Sequence, residues 1–192
     1  KTSIYSAFDF LLFASSKIPL FARPLVGGLL LGILGVGIFW LTSDESFPKF
    51  YGNGYPTIES LLDPDFYFTS DTQEVLKQAG PVLMLLAGLA LIKLIATSIT
   101  VGSGGAGGLF APSLLIGAAT GGIVGYSVHS LGFFPGTSPA FFALVGMASM
   151  VSATTHAPLT AILIVYEVTQ SYELILPLMF AAVVSTVVSR FA

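Results

Sequence analysis

The chain has no cysteine and very little charge, and both shortages narrow what it can be. Without cysteine there are no disulfides and no cysteine-held zinc or iron–sulfur centres. Only 9% of the residues are charged, against about 25% in an average soluble domain. Between Glu74 and Glu167 there is no acidic residue at all, and the basic ones are Lys77 and Lys93. A surface of that length cannot face water. With a net charge of −3 and no Lys/Arg cluster, nothing is available to neutralise a phosphate backbone, which argues against nucleic acid as a partner. No H-E-x-x-H, nucleophile elbow or carboxylate pair occurs in the apolar block, which argues against an enzyme.

What remains is apolar. Hydrophobic residues make up 54% of the chain and the mean hydropathy is +0.89, so an all-α polytopic membrane protein is expected. The first residue is Lys1 and no basic, apolar, small-residue signal peptide opens the chain, so it reads as a piece of a longer protein.

Residues 1–24 mix apolar side chains with Asp9, Lys17 and Arg23, as a helix at the membrane interface would. Residues 25–100 hold two spans around an acidic loop. The first, 24–42, has about 19 residues, near the ~20 that cross the hydrocarbon core. Its glycines suit close helix packing in lipid. The loop, 43–78, carries seven of the ten acids; within it, 52–62 predicts a glycine turn followed by a short helix with Pro56 near its start. The second span covers 80–100. Lys1, Lys17 and Arg23 before the first span put that end in the cytoplasm and the acidic loop outside, by the positive-inside rule.

Beyond residue 101 the apolar stretches are broken by glycine and proline. Helices are expected over 140–155, 157–169 and 172–191, with Pro112, Pro139, Pro158 and Pro177 at or near segment starts. Tilted and half-length broken helices survive in lipid only where the freed backbone is buried or lines a cavity, and transporters place binding sites there.

The chemistry concentrates in residues 101–122, VGSGGAGGLFAPSLLIGAATGG. Successive glycines permit φ > 0 and exposure of several N–H groups. A helix then begins near Leu109, Phe110 and Ala111, with Pro112 in its first turn, where a missing N–H costs nothing. The first N–H groups of that helix are unpaired and carry the positive end of its dipole. In a membrane this makes an anion site without a full charge. Residues 102–107 also match G-x-G-x-x-G, but the dinucleotide fingerprint needs a preceding strand and an acid about 20 residues on, and neither is present. A phosphate-binding loop lacks its Gly-Lys-Ser/Thr. On pattern alone the segment serves equally as an anion nest or as a flexible hinge.

Other side chains read mostly as structural. Glu167 ends a short helix before Thr169, Gln170 and Ser171, an interfacial place served by local hydroxyls. His156 stands at a helix start, as a cap or packing residue, and His129 near a segment end. Lys93 snorkels, pairs or lines the pore, the last with nothing in the sequence to support it. Tyr126 and Trp40 fit interface belts. Ser103 and Ser113 cap a helix or touch an ion.

GSGGAGGLFAPSLLIGA (102–118) closely resembles the third filter segment of the CLC family of chloride channels and chloride/proton antiporters. The core G-x-F-x-P of that segment is Gly108, Leu109, Phe110, Ala111 and Pro112 here. Residues 146–179, with A-P-L-T-A and E-x-T, are similar to the paired helices after the filter, and GNGYPTI (52–58) is similar to the turn before a short helix. The resemblance runs from about residue 25 to the end. It implies the second half of an inverted-repeat fold, with residues 101–192 as the filter segment and its following helices. It implies that the backbone N–H groups of Leu109 and Phe110 bind chloride, that Gly107, Gly108, Ala111 and Pro112 shape the filter, and that the Phe110 ring lines the pore.

The family's serine segment, G-S-G-x-P, and its gating-glutamate segment, G-K/R-E-G-x-x-V, are not found, and its pore tyrosine would lie beyond Phe191. Channel and antiporter share what is present. The piece alone is expected not to conduct. The resemblance further implies a homodimer with one pore per subunit, in the inner membrane of a prokaryote, with chloride as substrate and no cofactor. Another anion such as fluoride or nitrate, or a non-transporting scaffold, are the alternatives on the same fold.

Overall fold

The computed structural model describes residues 19, 22–42, 51–68, 79–133, 136–169 and 172–191. Among them are seven α-helices and two short 3-10 helices, in agreement with the all-α expectation. The expected interfacial segment 1–24 and most of the charges that set the orientation lie outside the described residues.

Helix α1 (Arg23–Thr42) is followed by α2 (Tyr55–Leu62) and a 3-10 turn (Pro64–Phe66), then by α3 (Ala79–Gly102) and α4 (Phe110–Ser130). Helices α5 (Pro139–Thr155), α6 (Pro158–Thr169) and α7 (Ile175–Phe191) complete the chain, α7 after a 3-10 turn at Tyr172–Leu174. Among the described residues three helices are long and apolar enough to cross a membrane, in the stretches Arg23–Trp40, Gly80–Gly102 and Phe110–Ser130. The last three helices are shorter. That is expected of α5 and α6, whereas α7, expected over 172–191, has 17 residues; α6 has 12, about 18 Å of helix. Pro139 and Pro158 occupy the first positions of α5 and α6, where their fixed φ favours the helix and no N–H is lost. Ser138 caps α5, accepting a hydrogen bond from the Ala140 N–H.

The core sits between α4 and α5. Gly117, Gly121 and Gly125 on α4 recur every fourth residue and form one flat stripe. A Cβ at Gly117 would lie 2.6 Å from the Gly146 carbonyl oxygen, and one at Gly125 would lie 2.6 Å from the Phe142 Cβ. The backbones therefore pack directly, and Ala143, Met147, Ala148 and Val151 of α5 are buried. On its other side α5 meets α7 through the fully buried Ser152, whose hydroxyl donates to the Ala182 carbonyl at 2.7 Å and lies 2.6 Å from the Thr186 hydroxyl. Ala161 and Val165 bring α6 into the same core.

Two sequence expectations are corrected here. Tyr126 is not in an interface belt: it is 2% exposed, inside the core, because α4 is surrounded by α2, α3 and α5. Trp40 is 82% exposed on α1, as a belt residue requires. His156 does not start α6. It ends α5 in a left-handed conformation at φ 54°, with the Ser189 hydroxyl 3.3 Å from its Nδ1. A helix that must stop and restart within three residues needs such a reversal before Pro158.

Candidate anion site

The site is built where α3 ends and α4 begins. Helix α3 closes with the N–H groups of Ser103, Gly104 and Gly105 bonded back to the carbonyls of Ile99, Val101 and Thr100, at 2.9, 3.0 and 3.0 Å. Gly104 takes φ +81°, the left-handed residue that ends a helix. Repeated φ > 0 along the glycine run is not what the structure holds: between Gly102 and Gly108 only Gly104 adopts it. The other glycines serve by their size. A Cβ on Gly105 would stand 2.9 Å from the Thr100 carbonyl oxygen, whereas the position of Gly108 faces open space.

The chain then turns into α4 with Leu109 as its N-cap, in the αR region and without a side-chain cap. The first backbone bond of the helix runs from the Ser113 N–H to the Leu109 carbonyl, 3.0 Å. The amides of Leu109, Phe110 and Ala111 precede that bond, and Pro112 has none to offer. Gly107, Gly108 and Leu109 are exposed, and Phe110 is half-buried. Neither nearby hydroxyl is turned toward the helix start: Ser113 donates to the Phe110 carbonyl at 2.6 Å and Ser103 to the Thr100 carbonyl at 3.0 Å.

A cavity of about 400 Å³ opens at this helix start. Gly107, Gly108, Phe110, Ala111 and Pro112 form one part of its lining, and Gly52, Asn53, Lys93, Thr97 and Thr100 another. The structure brings Gly107, Gly108, Phe110, Ala111 and Pro112 onto one cavity, whereas Leu109, the N-cap of α4, is not among its lining residues. It also brings in Lys93, which the sequence left open between snorkelling, pairing and pore lining. Lys93 is 4% exposed, and its ammonium donates to the Gly52 carbonyl at 2.7 Å. The pattern that points to it is Lys93, Thr97 and Thr100, spaced four and three apart on one face of α3 and leading straight into the filter loop.

The remaining titratable candidates fall away from this cavity. Glu167 is exposed near the end of α6, and the Thr169 hydroxyl is turned to the Val165 carbonyl, at 3.0 Å, within its own helix. His129 stands in the last turn of α4, at the end away from the cavity, with its Nδ1 3.2 Å from the Thr137 carbonyl oxygen and its ring edge-on to Phe68. Among the described residues no group of three or more His, Asp or Glu side chains is placed to hold a metal ion.

Gly107, Gly108, Phe110, Ala111 and Pro112 thus line a cavity at the start of α4, and the comparison with known proteins decides the family. The family described as "Voltage gated chloride channel" matches residues 4–190. The chain belongs to this family. A putative chloride channel protein ClcB-like from Ralstonia nicotianae is 35% identical over 181 residues, which is 93% of this chain and 36% of that protein. The voltage-gated ClC-type chloride channel ClcB of Escherichia coli strain HS is 36% identical over 93% of this chain and 37% of its own length. The K12 strain's protein of the same name is 37% identical over 86% of this chain. The chain spans about a third of the length of these curated relatives. Among the described residues α1, α3 and α4 are long and apolar enough to cross a membrane, in keeping with a channel family.

Proposed function

We propose that the full-length protein moves chloride across a membrane, as a channel or as a chloride/proton antiporter. The ion is held by the backbone N–H groups of Leu109 and Phe110. The observation that carries this reading is the uncapped start of α4, opening on a cavity whose filter lining is Gly107, Gly108, Phe110, Ala111 and Pro112.

A permeating anion must trade its water for donors and still be able to leave. Amides at a helix start supply donors and the positive end of a dipole worth about half a charge, which attracts chloride without trapping it. Gly108, with open space where a Cβ would stand, lets the ion approach the backbone. No covalent step and no cofactor enter this mechanism. The relatives' names as chloride channels support the choice of ion.

In the same reading the protein is a homodimer in a prokaryotic inner membrane. The outward surfaces of α6 and α7 support it: Leu163 is 65% exposed and Phe180 75%, with Leu159, Leu176 and Val187 beside them.

The test is efflux of chloride, nitrate and fluoride from liposomes holding the full-length protein. Chloride efflux above protein-free liposomes is expected, and proton movement driven by a chloride gradient identifies the antiporter. Fluoride or nitrate efflux without chloride would assign another anion, and no efflux from folded protein would leave a scaffold.

A further inference from the structure

The cavity at the start of α4 has a charged wall that the amide mechanism does not use. Lys93 lies 14 residues before Gly107 on α3, inside the span Gly80–Gly102, yet it is 4% exposed and lines the same cavity as the filter residues. A basic side chain within the membrane is costly and stands where it faces a cavity or a partner. The ammonium of Lys93 does not reach for the interface. It donates to the Gly52 carbonyl at 2.7 Å, which ties α3 to the turn Gly52, Asn53 and Gly54. Gly54, at φ +81°, starts α2, and a Cβ there would stand 3.6 Å from the Leu115 side chain, so the turn also lies beside α4.

We propose that Lys93 is a positioning and affinity-setting residue of the anion site. Its fixed positive charge holds the anion in the cavity together with the α4 amides, and its bond to Gly52 keeps the turn in place as part of the cavity wall. The inference rests on the reading of this cavity as the anion site and adds to it a full charge that the backbone mechanism lacks. An amide dipole selects an anion at contact distance; a lysine acts across the cavity. A space of 400 Å³ is roughly 9 Å across if compact, and two unit charges at that separation, at an effective dielectric constant of ~20, change an anion's occupancy on the order of tenfold.

The experiment measures chloride flux against chloride concentration for the full-length protein in liposomes, with Lys93→Met, Lys93→Gln and Lys93→Arg. Lys93→Gln keeps a donor for the Gly52 carbonyl but no charge, and it carries the test if Lys93→Met fails to fold. Half-saturating chloride is expected to rise about tenfold in Lys93→Gln and Lys93→Met, and no more than about threefold in Lys93→Arg, with melting temperatures held near wild type. An unchanged half-saturation in folded Lys93→Gln would overturn the proposal, and so would equal rises in all three variants, which mark lost shape rather than lost charge. Absence of saturable chloride, nitrate or fluoride flux in the wild type would instead sink the anion-site reading itself.

Discussion

Replacing Gly121 with alanine drives α4 and α5 apart, and the size of the effect follows from which atoms stand in the way. A Cβ at this position would meet the Phe142 carbonyl carbon at 2.9 Å and the Ala143 Cα at 3.0 Å, with the Phe142 oxygen closer still. Carbon atoms rest at about 3.5–4.0 Å, so the helices must separate by roughly half an ångström or more. All three obstacles are backbone, and no change of rotamer relieves them. Overpacking of this kind costs about 1–3 kcal/mol, and the upper end applies here. At about 2–4 °C per kcal/mol for a domain of this size, the melting temperature in detergent falls by about 6–12 °C. Flux per folded molecule also falls, because α4 carries the amides of Leu109 and Phe110. Gly88→Ala on α3 is the control: nothing lies within 4 Å of its Cβ position, and alanine favours a helix over glycine by about 1 kcal/mol. A Gly121→Ala protein that melts with the wild type and with Gly88→Ala would refute direct backbone packing between α4 and α5.

Two further outcomes are expected. Ser152→Ala removes the buried hydroxyl between α5 and α7, and since the Ala182 carbonyl keeps the Thr186 hydroxyl at 2.9 Å, the loss is about 0.5–1.5 kcal/mol. Thermal melting should show a smaller shift than Gly121→Ala, and an equal or larger one would mean that the hydroxyl pair organises more than this contact. A single cysteine at Phe180, in a chain with none of its own, should form a cross-linked dimer in native membranes if α7 meets a second copy. Monomer alone, with cysteine at Leu163 equally silent, would count against the homodimer.

Proline and glycine made most of the helix boundaries readable in advance. Pro139 and Pro158 open α5 and α6, and the Gly-Gly-Leu-Phe-Ala-Pro run marks the start of α4, because each residue has few places where its backbone fits. What the sequence hides is which face of a helix points inward. Helices α1 and α4 are apolar on nearly every face, so little tells Tyr126 in the core from Trp40 at the surface. The inward turn of Lys93 is only half visible: Thr97 and Thr100 share its face of α3, but its partner, the Gly52 carbonyl, is 41 residues away in sequence and belongs to the backbone, which carries no side-chain signature. The glycine run was open to two uses, left-handed turns or close approach. Gly104 takes the first and Gly105 the second, a division set by the Thr100 carbonyl to which Gly105 both bonds and packs.

The central claim is that backbone amides at the start of α4 hold the anion, and removing one of them tests it most directly. Leu109→Pro deletes the Leu109 N–H at a residue whose φ of −85° lies close to what proline adopts, while Leu109→Ala removes the same side chain and keeps the amide. In chloride-flux titrations of the full-length protein, Leu109→Ala should stay near the wild type. Leu109→Pro should raise half-saturating chloride about tenfold, the effect of losing a hydrogen bond of about 1.5 kcal/mol to a charged partner. Equal half-saturation in folded Leu109→Pro and Leu109→Ala would contradict the account, and the ion would then have to be held elsewhere in the protein.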